Sequence, residues 1–392
     1  MSAIGVAMQT MTGTPRELGY RMPAEWEPHT ATWLAWPHNP DDWPGKFQPI
    51  PWVYAEIVRH LARVEDVHIL VNDAAAEKRA RGILKRNAVN VARVHFHPWR
   101  TDRVWTRDSG PIFVRRSDEQ NPGGYAPVAV TNWKFNAWAK YPNWHDDDQV
   151  PDRVAELLNL PQWTPTIDTA GGPQRVVLEG GSIDVNGAGT LITTEECLLS
   201  ELQQRNPGVS RAQIEKAFYD FLGIDQVLWM NRGIAGDDTH GHVDDITRFV
   251  GKDTIITVVE PNRDDDNHLP LAENLDRLKS ARNVDGKPFR IVELPMPDPV
   301  VFEGQRLPAS YANFYIANGV VLVPTLNQSA DRKALNILAE VFPAREVVGI
   351  YCGDLIWGLG ALHCMTQQQP GLPAELSAGL AQAGPRWSAN AE

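Results

Sequence analysis

The sequence has few cysteines, no excess of basic charge and no long apolar run. Three cysteines in 392 residues are too few for the disulfide framework of a secreted domain. No apolar stretch approaches the roughly 20 residues of a membrane-spanning helix. The chain has no basic residue before Arg16, which argues against a secretory signal. We therefore expect a cytoplasmic protein with reduced thiols and no membrane partner.

The charge balance limits the class of ligand. The net charge is −12, from 37 basic and 49 acidic residues. This balance argues against a nucleic-acid partner, because phosphate contacts need clustered lysine and arginine. An acidic surface instead suits a small cationic substrate.

Runs of apolar and β-branched residues alternate with helical patterns along the whole chain, which predicts the α/β class. We expect a flexible leader at residues 1–18, a single domain over residues 19–370 and a C-terminal tail over residues 371–392. The main predicted strands are at residues 67–71, 176–185, 190–194, 253–259, 290–293, 320–324 and 346–351. The predicted helices are at residues 74–86, 200–204, 211–222, 272–282 and 330–342.

The candidate functional segments recur at regular intervals, roughly 60 to 70 residues apart. Such spacing is typical of a ring of similar modules, each of which contributes one loop to a shared centre. A doubly wound sheet with loops at one edge gives a similar spacing, so the spacing leaves both architectures open. The segments lie near Asp108, Glu179, His242, residues 303–311 and Cys364.

Cys364 is the candidate nucleophile. Small residues precede it and polar residues follow it in the segment GLGALHCMTQQQ, whereas Cys197 and Cys352 have apolar neighbours and are predicted to be core residues. A free thiol has a pKa of about 8.5, so a nucleophilic cysteine needs a proton acceptor or a cationic neighbour. His363 is adjacent, but neighbours on a strand point to opposite faces.

The segment GDDTHGHVDDI offers a histidine and a carboxylate together. If it is extended, His240, His242 and Asp244 line one face at a period of two. His242 would then carry protons and Asp244 would bind a cation. The pattern His-x-His-x-Asp is also found as a metal site in metallo-hydrolases, although Asp245 stands where those enzymes carry another histidine. A solvated polar loop is a third interpretation.

Two further segments can bind a planar cation. Asp108, in WTRDSGP, is either a turn former or a carboxylate that matches the guanidinium fork. Trp105 can stack on a flat cation. Glu179 precedes two glycines in LEGGS, where its side chain can face an open site.

Taken together, these segments resemble the agmatine deiminase and bacterial-type peptidylarginine deiminase family. The resemblance covers residues 20–369, in family order. The matching segments are MPAEWEPH (22–29), WLAWP (33–37), WTRDSGP (105–111), FNAW (135–138), EGG (179–181), GHVD (241–244) and HCMTQQ (363–368).

The resemblance implies a pentein fold, an α/β propeller of five ββαβ-type modules around a pseudo-fivefold axis. It implies a hydrolase that acts on the C–N bonds of linear amidines without a metal or cofactor. Six residues receive roles: Cys364 as nucleophile, His242 as general acid and base, Asp108 and Asp244 on the guanidinium nitrogens, Glu179 in the acidic substrate-binding position and Trp105 beside the pocket.

The expected reaction is hydrolysis of agmatine to N-carbamoylputrescine and ammonia, a step toward putrescine, through a cysteine thiouronium. The alternatives are a peptidylarginine deiminase, a deiminase of another small guanidino compound, a guanidino-binding protein without turnover and the metal-dependent hydrolase. Leu359 and Ala361 replace residues that are usually glycine and asparagine, which alters the wall beside the thiol. Candidates for binding the far ammonium of agmatine are Asp237, Asp238 and residues 146–148. The tryptophan-rich N-terminal third suggests a homodimer.

Overall fold

The structure is a computed structural model that describes residues 12–116, 127–169 and 171–371. Helices and strands alternate along these residues, so the predicted α/β class is confirmed. The described α-helices are α1 (Ile50–Leu61), α2 (Ala74–Arg86), α3 (Thr106–Ser109), α4 (Val150–Leu158), α5 (Glu195–Leu199), α6 (Arg211–Leu222), α7 (His268–Ser280) and α8 (Ser329–Val341).

The strands of the described residues are mostly short. They are β1 (Tyr20–Arg21), β2 (His29–Ala35), β3 (Asp66–Leu70), β4 (Val94–His97), β5 (Ile112–Arg116), β6 (Val128–Thr131), β7 (Gln162–Trp163), β8 (Thr166–Thr169), β9 (Gly172–Arg175), β10 (Asp184–Val185), β11 (Thr190–Thr194), β12 (Gln226–Met230), β13 (Thr247–Gly251), β14 (Thr254–Val259), β15 (Arg290–Pro295), β16 (Val301–Phe302), β17 (Gln305–Arg306), β18 (Tyr315–Ala317), β19 (Val320–Thr325), β20 (Glu346–Tyr351) and β21 (Gln367–Pro370).

Among the described strands, five sheets have three or four strands, and two further sheets are two-stranded. The larger sheets have the orders β1-β5-β6-β7, β10-β11-β12, β13-β14-β15, β18-β19-β20 and β21-β2-β3-β4. Each contains an antiparallel pair whose second strand also pairs in parallel with the next. This arrangement differs from the single doubly wound sheet that the spacing had left open.

Strand burial follows from composition. β14 (TIITVV) and β19 (VVLVPT) are apolar almost throughout and are buried on both faces, which is typical of strands that pair in parallel beneath helices. Helix α7 packs against β14, and α8 packs against β20. None of the described helices is both long and apolar enough to cross a membrane.

Two helices coincide with their predicted bounds because their ends carry clear capping residues. Asp73 Oδ1 accepts a hydrogen bond from Ala76 N at 2.6 Å at the start of α2. Ser210 and Gln213 form a reciprocal capping box at the start of α6, and Gly223 ends it at a φ of +70°. The helix predicted at residues 200–204 is wrong, because α5 ends before it and the backbone becomes extended at Ser200.

The strands predicted at residues 176–185 and 190–194 meet in a hairpin, because β10 and β11 pair antiparallel on either side of residues 186–189. The first of these strands is much shorter than predicted, since Gly180–Ser182 form a 3-10 turn instead. This turn, rather than a continuous strand, carries the chain past the candidate site.

The described part of the predicted leader is packed. Trp163 Nε1 donates a hydrogen bond to Gly13 O at 2.9 Å, and Arg16 N donates to Asp220 O at 3.0 Å. Residues 12–18 therefore depart from the predicted flexibility. Residues 1–11 of the leader and 372–392 of the predicted tail lie outside the described residues.

The two ends of the predicted domain meet in one sheet. β2 pairs antiparallel with β21, with Trp33 opposite Gln367. The buried apolar side chains of β2, β3 and α1 belong to one large cluster that also contains Cys364. This pairing positions the candidate nucleophile beside the N-terminal strands.

Candidate active site

Cys364 lies between a 3-10 turn, Leu355–Gly358, and β21. The backbone passes close to an indole just before the thiol, because a Cβ on Gly360 would lie 2.6 Å from the Trp105 ring. A side chain at that position would collide with the ring. The glycine at position 360 therefore has a steric reason, since it leaves room for the Trp105 ring.

A cavity of about 340 Å³ opens onto Cys364. Its volume falls in the range typical of small-molecule sites. Three of the six predicted site residues line it: Trp105, Asp108 and Cys364. Leu359 also lines it, whereas Ala361 is buried in a separate apolar cluster. The remaining lining residues are Asp41, Asp42, Pro44, Arg103, Trp138, Tyr141, Asp238, Thr239, Gln305, Trp357, Gly358 and Gly360.

Asp108 lies in the short helix α3, with its side chain buried at the cavity wall. Gly181 N donates to its Oδ1 at 3.0 Å, and Trp138 Nε1 donates to its Oδ2 at 2.9 Å. Burial, together with the nearby carboxylates of Asp244 and Glu179, raises the pKa of Asp108 to about 6. The two donors fix the plane of the carboxylate in the wall.

The backbone around Trp138 is strained. Ala137, Trp138 and Ala139 adopt φ values of +49°, +58° and +54°. A left-handed conformation costs non-glycine residues roughly 1–2 kcal/mol each, and such strain clusters at functional sites. Here it directs the Trp138 indole N–H at Asp108.

Gly181 marks the point where the predicted residues converge. A Cβ at this position would lie 2.6 Å from His242 Nδ1, 2.8 Å from Asp108 Oδ1 and 3.1 Å from Asp244 Oδ2. No larger residue fits among these groups. The double glycine after Glu179 therefore allows three polar side chains from distant segments to surround one backbone position.

His242 is buried between two carboxylates. Its Nδ1 lies 3.8 Å from Asp108 Oδ1, and its Nε2 lies 3.6 Å from Glu179 Oε2. Burial alone would lower the pKa of His242, but Asp108, the sulfur of Cys197 and Glu179 outweigh burial and raise that pKa well above its usual value. The surrounding groups therefore favour the protonated form of the ring.

Glu179 lies behind His242 and does not line the cavity. Arg205 Nε donates to its Oε1 at 3.0 Å, and both side chains are fully buried. Burial would raise the pKa of Glu179, but Arg205 and His242 lower it to about 2. This position differs from the predicted substrate-binding role, since Glu179 contacts the histidine and not the cavity.

Asp244 joins Cys364 to a buried charge network. Its Oδ2 lies 3.8 Å from Cys364 Sγ and 2.6 Å from His363 Nδ1. His363 Nε2 lies 2.7 Å from Glu25 Oε2, which also accepts from Arg248 Nη2 at 2.8 Å. The His363 ring is therefore engaged by two carboxylates, which agrees with the expectation that it is not the proton partner of the thiol.

The surroundings of Cys364 favour the protonated thiol. Burial and the carboxylates of Asp244, Asp245 and Asp108 raise its pKa well above the usual value. A cation placed among these carboxylates would counter their charge and lower the pKa of the thiol. The site is therefore arranged so that a positively charged ligand favours the thiolate.

Several buried polar atoms at this point have no hydrogen-bond partner among the described residues. They are both ring nitrogens of His242 and Oδ1 of Asp244. Buried polar atoms without a partner are rare and are found at functional sites. They leave one acceptor and the histidine ring available to a polar ligand.

Comparison with known proteins agrees with this geometry. A family model described as Porphyromonas-type peptidyl-arginine deiminase matches residues 21–370. The chain belongs to this family. Two curated relatives are agmatine deiminases of Pseudomonas aeruginosa (strain LESB58) and Stutzerimonas stutzeri (strain A1501), which are 35% and 36% identical over 93% of this chain and 99% of each relative.

Solved structures of the same kind superpose on the chain. Enterococcus faecalis agmatine deiminase has a TM-score of 0.82 at 29% identity and covers 93% of this chain and 99% of its own. A C. jejuni agmatine deiminase with substrate bound has a TM-score of 0.77 at 27% identity and covers 90% of this chain and 96% of its own. Membership of the Porphyromonas-type family and these relatives indicate a hydrolase that acts on guanidino C–N bonds.

The segment around His240, His242 and Asp244, which suggested a metal site, is not the extended strand that such a site requires. His240 adopts a φ of +65° and Gly241 one of +93°, so the backbone is not extended there. The His240 Nε2 lies 3.2 Å from Ser200 Oγ, while His242 and Asp244 face the site. The predicted trio of His240, His242 and Asp244 therefore does not form one cluster.

Two other groups of three potential metal ligands occur in the described residues. They are Glu179 with Cys197 and His242, and Asp244 with Asp245 and Cys364. Glu179 of the first group already binds the Arg205 guanidinium. A bound cation at that position makes the first group a poor metal site.

The sequence did not indicate which residues form ion pairs and hydrogen bonds with the predicted site residues and with His363. Arg205 pairs with Glu179, and Glu25 pairs with His363. Asn313 Nδ2 donates to Cys364 Sγ at 3.0 Å. Glu25 lies in the segment MPAEWEPH, which the family resemblance had quoted without a role. Neither Arg205 nor Asn313 stands in a segment that the resemblance had singled out.

Proposed function

We propose that this chain is an agmatine deiminase, which hydrolyses the agmatine guanidinium to N-carbamoylputrescine and ammonia. Curated agmatine deiminases match it over nearly its whole length. The observation that carries the proposal is the convergence of His242, Asp108 and Asp244 on Gly181, next to the Cys364 sulfur. This set combines a nucleophile, a proton carrier and a clamp for a planar cation.

Asp108 and Asp244 bind the guanidinium. Asp108 stands in the cavity wall, and Oδ1 of Asp244 is a buried acceptor without a partner in the described residues. Each carboxylate accepts N–H bonds from the substrate and fixes its plane. Trp105, which also lines the cavity, faces the flat cation. The guanidinium carbon then lies close to the Cys364 sulfur, and such positioning lowers the barrier.

The proposed reaction has two covalent steps. The Cys364 thiolate, whose proton has passed to solvent, attacks the guanidinium carbon and forms a neutral tetrahedral adduct. The His242 imidazolium donates its proton to one nitrogen, and ammonia leaves a thiouronium on the sulfur. Neutral His242 then takes a proton from water, which attacks this carbon. Collapse of the second adduct breaks the C–S bond, passes the hydroxyl proton to solvent and releases the ureido product and the thiolate, with His242 again protonated.

Charge governs each step of this sequence. The substrate cation offsets the carboxylates that raise the Cys364 pKa, so binding favours the thiolate. Asp108 and Glu179 hold His242 as the acid that the first step needs. Glu179 thus supports the histidine rather than the substrate, and Arg205 fixes its carboxylate.

The finer architecture belongs to the same proposal. We infer a pentein propeller of five modules around a pseudo-fivefold axis. Support comes from five larger sheets in the described residues, in each of which an antiparallel pair continues into a parallel pair. The predicted site residues lie in segments next to strands of different sheets. A ring of modules would place them in this way.

The far ammonium of agmatine needs a carboxylate at the cavity end away from the thiol. Of the predicted candidates, only Asp238 lines the cavity. Asp237 instead accepts backbone hydrogen bonds from Gly241 and His242, and residues 146–148 are absent from the lining. Asp238 also contacts Lys140 and accepts from Tyr141 Oη at 2.7 Å. We propose that Asp238 binds the substrate ammonium.

The direct test of function is ammonia release by Cys364→Ser. We expect this variant to release no ammonia from agmatine and to keep the thermal unfolding midpoint of the wild type. The matched control is Cys352→Ala, since Cys352 is also buried but lies outside the cavity lining. That control should remain active. Unchanged turnover by Cys364→Ser would refute the mechanism.

The second candidate is deimination of peptidyl-arginine, which the description of the family model favours. The two substrates differ at the end away from the guanidinium, where only agmatine carries an ammonium. Asp238→Asn should therefore raise the KM for agmatine and leave unchanged the KM for an alkylguanidine that lacks the far ammonium. A wild-type protein that prefers peptidyl-arginine to agmatine would instead establish the second candidate.

A further inference from the structure

We infer that Asn313 is a catalytic residue whose side-chain N–H stabilises the Cys364 thiolate. The inference rests on the proposed role of Cys364 as nucleophile. Asn313 Nδ2 lies 3.0 Å from Cys364 Sγ, and the Asn313 side chain is buried. Among the described residues, it is the only side chain that donates an N–H to this sulfur.

The orientation of the Asn313 amide follows from its other contacts. Its Oδ1 accepts from the backbone N–H of His363 at 2.9 Å and of Cys364 at 3.4 Å. Only the carbonyl end of an amide can accept these two bonds. The NH2 end must therefore face the sulfur, and its second hydrogen points to Asp245 Oδ1 at 2.9 Å.

The backbone on both sides of Asn313 is held in place. Arg248 Nη1 donates to Phe314 O at 2.8 Å and to Ala312 O at 3.3 Å. Arg248 is itself fixed by Asp184 and is fully buried. The amide is therefore preorganised before a substrate binds, so that little ordering is needed when charge develops on the sulfur.

Asp245 acts as a positioning residue for this amide. It accepts the second N–H of Asn313 and lies next to Asp244 in the chain. Ser310 Oγ donates to the backbone carbonyl of Asp245 at 2.6 Å, which ties the two segments together. Burial and the neighbouring carboxylates of Asp244 and Asp237 raise the pKa of Asp245 well above the usual value.

A neutral donor has a physical advantage at this position. A lysine or arginine beside the sulfur would stabilise the thiolate but would also repel the guanidinium. The carboxylates of Asp108 and Asp244, which bind the cation, act in the opposite direction because they raise the pKa of the thiol. The Asn313 amide offsets part of that effect without weakening the attraction of the site for a cation.

The test measures the pKa of the thiol directly. The rate of Cys364 alkylation by iodoacetamide, followed by peptide mass analysis, is recorded against pH for the wild type and two variants. Asn313→Ala should raise the apparent thiol pKa by about one to two units, as expected for the loss of a hydrogen bond to a charged group. Asn313→Asp, which keeps the shape, should raise it further by placing a carboxylate against the sulfur.

Asn318→Ala is the matched control. Asn318 also bonds to the backbone through both ends of its amide: its Oδ1 accepts from His29 N at 3.0 Å, and its Nδ2 donates to His29 O at 2.7 Å. It does not contact the Cys364 sulfur. The control should keep the wild-type thiol pKa even where it lowers stability. The Asn313 variants should also lose roughly 10- to 100-fold in kcat, the rate equivalent of that shift, with KM little changed.

The outcomes separate this inference from the proposed function. An unchanged thiol pKa in a folded Asn313→Ala or Asn313→Asp protein overturns the inference, whatever the turnover of the wild type. A wild type that releases no ammonia from any guanidine overturns the proposed function, while the alkylation profiles still report on Asn313. A raised pKa in both variants, with the control unchanged, supports the inference.

Discussion

The pKa of each buried carboxylate at the site depends on the charges of the side chains beside it. Asp108 and Glu179 are both buried carboxylates beside His242, yet their pKa values differ. The pKa of Glu179 is about 2 because Arg205 and His242 outweigh burial, whereas that of Asp108 is about 6 because burial and the carboxylates of Asp244 and Glu179 outweigh His242. Of these two carboxylates, Asp108 is therefore protonated first as the pH falls from neutral.

The pH dependence of turnover tests this assignment. Asp108 must be ionised to bind a guanidinium, so kcat/KM, which reports on the free enzyme, should fall as the pH drops through about 6. Trp138→Phe removes the indole donor that lowers the pKa of Asp108, and should move this acid limb upward by roughly one pH unit.

The control for this prediction is Trp133→Phe. Trp133 Nε1 donates to Thr131 Oγ1 at 3.0 Å, away from the cavity. This variant should keep the wild-type acid limb. An acid limb that stays in place in Trp138→Phe would show that another group sets the pH dependence.

At the residue level, the sequence singled out the candidate reactive residues of the site but not the residues that contact them. Few residue types can act as a nucleophile, carry a proton or bind a cation, so Cys364, His242 and Asp108 stood out in the sequence. Their partners did not, because an asparagine or arginine is common in any context. Asn313 meets Cys364 across 51 residues, and Glu25 meets His363 across 338. Only the folded chain brings such pairs together.

At the scale of elements, the short turns carry the site and the longer helices and strands support it. The 3-10 turn Gly180–Ser182 places a bare backbone among His242, Asp108 and Asp244. Helices α2 and α6 could be predicted to the residue because their caps are local sequence signals. The turn could not, since its glycines suit either a strand or a bend and tertiary contacts decide between them.

Gly181→Ala tests the role of this turn. The added methyl would lie 3.1 Å or less from His242, Asp108 and Asp244, so these side chains must move. A displacement of about 1 Å can cost 10²-fold in rate, and we expect a loss of that order in kcat/KM for agmatine. The measurement is steady-state ammonia release, accompanied by thermal unfolding.

Gly82→Ala is the matched control for that experiment. Gly82 lies within α2, where an added Cβ would be 3.9 Å from the nearest side-chain atom. This variant should keep full activity and raise the free energy of unfolding by about 0.5–1 kcal/mol, since alanine favours helix. Full activity in Gly181→Ala would show that the turn does not set the geometry of the site.

At the scale of the whole molecule, strands from the first and last parts of the described residues meet beside Cys364. β21 follows Cys364 and pairs with β2, and Arg107 N in α3 donates to Cys364 O at 3.2 Å. The site thus depends on contacts between the first and last parts of the domain. The order of the motifs along the sequence allowed the family to be recognised, whereas the way in which they meet at one point required the structure.

The central claim is that Cys364 forms a covalent thiouronium with the substrate. The measurement is an acid quench of wild-type protein within milliseconds to seconds of mixing with agmatine, followed by peptide mass analysis. We predict a transient mass increase on the Cys364 peptide, equal to the mass of agmatine less that of ammonia. An adduct on another residue, or continued turnover with Cys364 unmodified at every time point, would contradict it.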